Sequence, residues 1–206
     1  MPTPPKSLLQ IAGAPLHPSP LGKSALVVID AQMEYVNGGL PLQGVDAAIR
    51  EAMLLLMLAR KIGMPVFHIV QHAPAGRPLF AEDSPTAAIV PQLTPDPGEI
   101  VLRKTLPNAF AATDLHDLIK STGKSEIIFA GFMTHMCVSA SARAALDLGY
   151  RSTVVANATA TRDLPDPLGG TIPASVAHRT ALSELADRFA IVVKDTAALL
   201  PQQATA

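Results

Sequence analysis

Three residues of reactive type follow apolar segments of the chain. Asp30 ends Ala25-Leu26-Val27-Val28-Ile29, Lys104 follows Glu99 to Arg103, and Cys137, the only cysteine in 206 residues, follows Ser125 to Gly131. A thiolate attacks a carbonyl carbon well, but it needs a base to take its proton and a cation to hold the anion. Asp30, desolvated at the mouth of an apolar strand, can accept the Cys137 proton and return it to a leaving amine. Lys104 would stabilise the thiolate and keep the carboxylate charged. Cys137 stands where its strand hands over to a helix beginning near His135, and such a turn presents free N–H groups and the positive end of a helix dipole to the sulfur. The N–H groups of Met133 and Cys137 are then placed to hold a developing oxyanion, an effect of ~3 kcal/mol per donor. The chemistry expected is amide or ester hydrolysis through a thioester, without metal or cofactor.

Singly, each residue has a plainer explanation. A lone cysteine is most often a small buried hydrophobe, Asp30 can cap a turn through Gln32 and Met33, and Lys104 can be a solvated surface lysine. Chemistry is favoured only if three separate segments bring them to one place, which depends on the elements that carry them.

Ala25–Asp30, Val66–Val70, Glu99–Arg103, Ser125–Gly131, Thr153–Ala156 and Ala190–Val193 read as six short strands, mostly aliphatic as in sheets buried on both faces. Between them lie helices over Asp46–Lys61, from Thr113 to near Gly123, from His135 to Leu148, and over Ala174–Arg188, with glycines at or near three of the ends. Alternation on this scale predicts right-handed βαβ units, hence a three-layer α/β/α sandwich around a six-stranded parallel sheet. Ligands bind such sheets at the carboxyl ends of the strands. Asp30, Lys104 and Cys137 all stand there.

Residues 1–24 carry six prolines and read as an arm, packed along a neighbour or along its own surface. Residues 25–197 form the domain and 198–206 a tail. The stretch Gln71–Gly98 holds six prolines and no clear period, and loops of that length tend to be lids or partner contacts. Apolar residues make up 49% and charged residues 16%, with a formal net charge of −1. A globular domain is expected, with a small-molecule substrate and neither nucleic acid nor membrane as partner. One cysteine excludes an internal disulfide framework and fits a reducing cytoplasm. Gly22-Lys23-Ser24 and Gly123-Lys124-Ser125 precede strands and lack the leading glycine of a phosphate-binding loop. No G-x-G-x-x-G follows the first strand and no G-x-S-x-G occurs, which sets aside dinucleotide binding and a serine hydrolase elbow.

Leu26-Val27-Val28-Ile29-Asp30-Ala31-Gln32, Arg103-Lys104 with Asn108-Ala109-Phe110, and Gly131-Phe132-Met133-Thr134-His135-Met136-Cys137-Val138 together resemble the isochorismatase-like cysteine hydrolases. That group includes nicotinamidases, N-carbamoylsarcosine amidases and ureidoacrylate hydrolases. Ala142–Tyr150 and Asn157–Asp163 extend the likeness, which covers about residues 24–197. The resemblance implies a six-stranded parallel sheet, a catalytic triad of Asp30, Lys104 and Cys137, a cis peptide at Phe132–Met133, and a homo-oligomer. It also suggests pocket walls at Gln32, Tyr35, Phe80 and Phe110, with His135 near the pocket or an interface.

Two departures narrow the expectation. Relatives that cleave isochorismate typically lack the cysteine, so Cys137 favours C–N hydrolysis. Metal-using nicotinamidases carry Asp-x-His after the second strand, where this chain has Gln71-His72-Ala73, so no metal is expected. His68 and His72 would lie ~13 Å apart along a strand. Vinyl-ether hydrolysis of a chorismate-like acid and a non-catalytic or redox thiol on the same fold stand as the alternatives. His116 and His178 read as packing or surface residues on helices.

Overall fold

The computed structural model describes residues 3–200. Its strands are β1 (Ser24–Ile29), β2 (Val66–Gln71), β3 (Ile100–Lys104), β4 (Glu126–Phe132), β5 (Arg151–Ala160), a short hairpin of β6 (Leu164–Pro165) and β7 (Thr171–Ile172), and β8 (Ile191–Val193). Six of them form one sheet in the order β3-β2-β1-β4-β5-β8, every pair parallel. The helices are α1 (Leu8–Ile11), α2 (Val45–Lys61), α3 (Leu115–Ser121), α4 (Ser139–Asp147) and α5 (Ala174–Glu184).

Side-chain alternation along each strand feeds two separate cores. Leu26, Val28, Ile128, Ala130 and Phe132 pack with Ala48, Ala52, Leu55 and Leu56 of α2. Ala25, Val27, Ile29, Ile127 and Phe129 pack on the other side with Leu115 and Ile119 of α3 and Ala142 and Ala145 of α4. Because both faces are covered, β1 and β4 are buried along their whole length, which is why they read as unbroken apolar runs. The three-layer α/β/α sandwich expected from the strand–helix alternation is the fold observed. Strand order reverses between β1 and β4, and in open sheets that reversal opens the crevice where ligands bind.

The elements depart from expectation in specific places. β5 is ten residues long rather than four, because its alanine-rich second half pairs again with β4 after a register shift between Phe129 and Gly131. Gly131 makes that shift possible: at φ 109° it lies so close to β1 that a Cβ would come within 1.9 Å of the Ile29 carbonyl oxygen. The helix after β4 opens as a π-helical turn, Thr134–Val138, before α4, and the helix expected to reach Arg188 leaves α geometry after Glu184 for a second such turn, Leu185–Phe189. Asp114 stands at the N-cap position of α3 without a side-chain cap bond, while the Thr113 hydroxyl donates to Ala109 O at 2.6 Å and accepts from Leu115 N at 3.4 Å. The Gln71–Gly98 stretch contains two 3-10 turns, Pro85–Ala87 and Pro91–Leu93, each opened by a proline.

The N-terminal arm packs along its own surface. Leu8 N donates to Asp187 Oδ1 at 2.9 Å, Ser19 N donates to Thr153 Oγ1 at 2.8 Å, and Arg151 holds the His17 carbonyl. Residues 198 and 199 of the expected tail belong to a 3-10 turn, Thr196–Leu199, whose Leu199 is buried; 201–206 lie outside the described residues. Among the described residues no helix is long and apolar enough to cross a membrane.

Candidate active site

Asp30 is the first residue past β1, and its backbone turns sharply at φ 47°. Aspartate tolerates this left-handed region better than most side chains. The Asp30 backbone donates to Ile69 O at 2.8 Å and accepts from Gln32 N at 2.8 Å. The turn is thus closed by main chain, which leaves the carboxylate free of a capping role. Lys104 ends β3, where it pairs in register with Gln71 at the end of β2. Cys137 lies in the π-helical turn after β4, behind a cis Phe132–Met133 peptide. Three strand ends therefore bring the three residues together.

Lys104 Nζ is the hub. It stands 2.7 Å from Asp30 Oδ2, donates to Cys137 Sγ at 3.3 Å, and donates to Gln71 Oε1 at 2.6 Å. Of the three N–H bonds of an ammonium, two have acceptors of good geometry, Sγ and Oε1, and the Asp30 carboxylate stands at ion-pair distance. The side chains of Asp30 and Lys104 are wholly buried and Cys137 is 4% exposed. The Asp30 carboxylate oxygens have no hydrogen bond of good geometry among the described residues, so a lone pair is available for a proton.

Electrostatics set the resting state. Burial pushes the Asp30 carboxyl above the ordinary range, opposed by Lys104. Burial, with the Asp30 charge adding to it, pushes the Cys137 thiol up to about 12, and Lys104 only partly offsets this. The positive end of the helix dipole favours the thiolate form of Cys137. Burial acts against it, favouring the thiol, and also raises the basicity of the carboxylate beside it.

The nucleophile turn is pinned on several sides. Ser141 Oγ donates to Cys137 O at 2.7 Å and accepts from Ala109 N at 2.9 Å, tying the turn to the segment after Lys104. Thr134 Oγ1 meets His178 Nδ1 at 2.9 Å, and His135 Nδ1 meets Thr161 Oγ1 at 2.6 Å. Burial pushes both histidines below the usual range, His135 further opposed by the Arg162 charge. His178 therefore serves packing of the turn, and His116 packs against Tyr150.

The five residues expected around a pocket divide. The Gln32 amide donates to Gln71 O and Ala87 O and accepts from Gln71 N, so its polar atoms are committed to main chain. Tyr35 packs edge-on against Phe80 and Phe132, with ring centroids 5.3 Å and 5.8 Å apart. Phe80 joins the α2-side core, yet it also lines a cavity of about 320 Å³ with Gln32, Gln71 and Arg103 at the ends of β2 and β3. Phe110 stacks on Tyr150 in the other core. His135 is half-buried beside the nucleophile. A second cavity, of about 580 Å³, lies between α2, the end of β5 and the start of α5, lined by Thr161 and His178 but not by Cys137.

Sequence reading missed Glu34 and the use made of Gln71. Glu34 is buried and accepts from Gly39 N, Phe80 N and Thr86 Oγ1. Although burial pushes its carboxyl up, those bonds outweigh burial and hold it below the ordinary range. It ties the long proline-rich stretch to the turn after Asp30. Where metal-using relatives have their aspartate, the Gln71 side-chain oxygen accepts from Lys104, and Ala73 has no side-chain donor atom. These residues do not fit a metal. Among the described residues no three His, Cys, Asp or Glu side chains converge on a common point.

Comparison with known proteins agrees with the fold. An isochorismatase domain profile matches residues 24–197. The chain is 35% identical over 187 residues to a secreted isochorismatase effector of Verticillium dahliae, covering 91% of this chain and 96% of that protein. It is 36% identical over 150 residues to a maleamate amidohydrolase of Pseudomonas putida, covering 65% of this chain and 70% of that one. The crystal structure of an isochorismatase from Pseudomonas putida superposes with a TM-score of 0.89 at 40% identity, covering 95% of this chain and all of the other (100%).

Proposed function

The chain belongs to the isochorismatase family, and from that premise we propose that it is a cysteine hydrolase cleaving a C–N bond in a small amide, ureide or lactam. One observation supports the reading above the rest: Lys104 Nζ bridges Asp30 Oδ2 and Cys137 Sγ in a buried cluster. A buried lysine, carboxylate and thiol are costly to assemble for stability alone. The amidohydrolase relative adds weight to C–N cleavage over vinyl-ether cleavage.

In the proposed mechanism Asp30 takes the Cys137 proton as the sulfur attacks the carbonyl carbon. The S–C bond forms and the carbonyl π electrons move to oxygen. Backbone N–H groups of Met133 and Cys137 receive that oxyanion, the kind of stabilisation worth ~3 kcal/mol per donor. Lys104 holds the sulfur and the carboxylate in line throughout. When the C–N bond breaks, Asp30 returns the proton to the departing nitrogen. Water then attacks the thioester, with Asp30 again taking a proton, and Cys137 leaves as the thiol. One amide and one water become one acid and one amine.

Burial that pushes the thiol up suits a proton transfer concerted with attack on the carbonyl. The carboxylate and ammonium beside the sulfur favour hydrolysis over a redox role. We also propose a homo-oligomer, supported by exposed Met136 in the nucleophile turn, Leu168 at the β6–β7 tip and Val176 in α5, and light scattering at micromolar concentration tests it. For the compartment we propose the reducing cytoplasm, on the single free thiol.

The test is ammonia or amine release from a panel of small amides, ureides and lactams, with wild type and Cys137→Ala side by side. Turnover that disappears in the variant supports the reading. Equal turnover in both contradicts it.

A further inference from the structure

We propose that a cavity under the N-terminal arm binds a small carboxylic acid with an apolar body, at the edge of the sheet opposite Cys137. The site is separate from the proposed hydrolase chemistry and stands or falls without it.

Its place follows from the direction of the strands. β5 opens at Arg151 and β8 at Ile191, so both starts lie at the amino edge of the parallel sheet, whereas Cys137 follows the end of β4. The arm crosses the fold at this amino edge. Leu8 N donates to Asp187 Oδ1 at 2.9 Å, and Arg151 holds the His17 carbonyl. Between these two ties a cavity of about 300 Å³ is left, roofed by Leu9 and Pro15 and walled by Leu146, Phe189 and Ile191.

Two polar side chains in this apolar space have no partner. Ser152 lines the cavity and is 1% exposed, and its hydroxyl oxygen is buried without a hydrogen-bond partner among the described residues. Alternation along β5 puts that side chain on the face of Val154, which packs in one core with Phe189 and Ala190 of the cavity wall. A buried unpaired hydroxyl costs free energy that a ligand atom can recover. Arg188 also lines the cavity, from its exposed rim. It has no ion-pair partner among the described residues, although Arg143 has Glu184 and Arg151 has Glu126. No carboxylate lines the cavity among the described residues.

Together these features select a chemistry. The walls take a short alkyl or aryl body, the Ser152 hydroxyl donates to a carboxylate oxygen, and the Arg188 guanidinium pairs with the charge. An amine would meet guanidinium charge with no acid to hold it, and a hydrocarbon would leave Ser152 unpaired. At the ~30 Å³ that a water occupies in the liquid, the cavity has room for roughly ten non-hydrogen atoms.

Calorimetric titration of the full chain tests this, with hexanoate as the acid and hexan-1-ol as the same body without charge. Hexanoate should bind at one site, and hexanol roughly tenfold more weakly or less. Arg188→Gln should weaken hexanoate binding roughly tenfold and Arg188→Lys less, because charge survives without the fork. Ser152→Ala should weaken it roughly fivefold. The same variant should leave the free protein no less stable in urea, because the hydroxyl it removes is unpaired. Arg103→Gln, at the catalytic edge, should change nothing. Hexanoate binding that is indifferent to Arg188 and Ser152, equal affinity for the alcohol, or no binding at millimolar hexanoate overturns the proposal.

Discussion

Gln71 Oε1 lies 2.6 Å from Lys104 Nζ, and the main chain of Gln71 is gripped at both its N–H and its C=O by the side chain of Gln32. A glutamine outside the proposed triad therefore fixes the direction of the lysine, and a second glutamine fixes the first. Two neutral amides do this work without adding charge to a buried site.

If Gln71 positions Lys104, Gln71→Leu should lower kcat by about tenfold, in line with losing one hydrogen bond to a charged group. KM should move little, because the bond is made in the free enzyme. Gln32→Leu should act in the same direction through Gln71. Steady-state kinetics on any substrate that the panel identifies reads the split, and an unchanged kcat in Gln71→Leu would remove Gln71 from the account.

Alkylation reports on the sulfur. With the thiol pushed up to about 12, only a small fraction is ionised near neutrality. Inactivation by iodoacetamide should be slow at pH 7.5 and rise with pH through 9.5 without a plateau. A plateau below pH 8 would mean that the resting sulfur is already a thiolate. On the acid side, Asp30 must be ionised to accept a proton, and burial raises its pKa above 3.8. Turnover should therefore fall on acidification at a pH above the ordinary aspartate value.

Lys104→Met should abolish turnover and also destabilise the fold by ~3–5 kcal/mol, the cost of leaving one member of a buried ion pair alone. Adding Asp30→Asn should recover most of that stability, because the uncompensated charge is gone, and none of the activity. Urea unfolding separates the two effects. A double variant no more stable than Lys104→Met would show that the pair is not a coupled unit.

Away from the site, Glu99 accepts from Arg60 and the His68 ring and holds the entry to β3 against α2. Burial pushes its carboxyl up, but bonds from Arg60, Asp96 N and His68 outweigh this and hold it at about 2, against 4.5 when unfolded. A depressed folded pKa stabilises above the unfolded value and is lost as pH falls through the folded one. Wild type should lose stability between pH 4.5 and 2 more steeply than Glu99→Gln, read as Tm against pH. Parallel curves would contradict the assignment.

Much of this was legible in the chain. β1 and β4 announce themselves because both faces are buried, and a parallel sheet then leaves Asp30, Lys104 and Cys137 no place but its carboxyl edge. What was not legible depends on register. Gln71 reads only as a missing metal ligand until β2 and β3 are aligned and it falls opposite Lys104. Gln32 and Phe110 have residue types suited to a pocket wall, yet one is consumed by backbone groups and the other by Tyr150. The β6–β7 hairpin has two residues per strand, too few to show a period.

The most direct measurement is intact-protein mass spectrometry of the enzyme quenched during turnover, followed by peptide mapping. The account predicts an acyl increment equal to substrate minus its amine, located on Cys137 and lost in Cys137→Ala together with activity. Sustained turnover with no adduct at any quench time, and with Cys137→Ala as active as wild type, would contradict it.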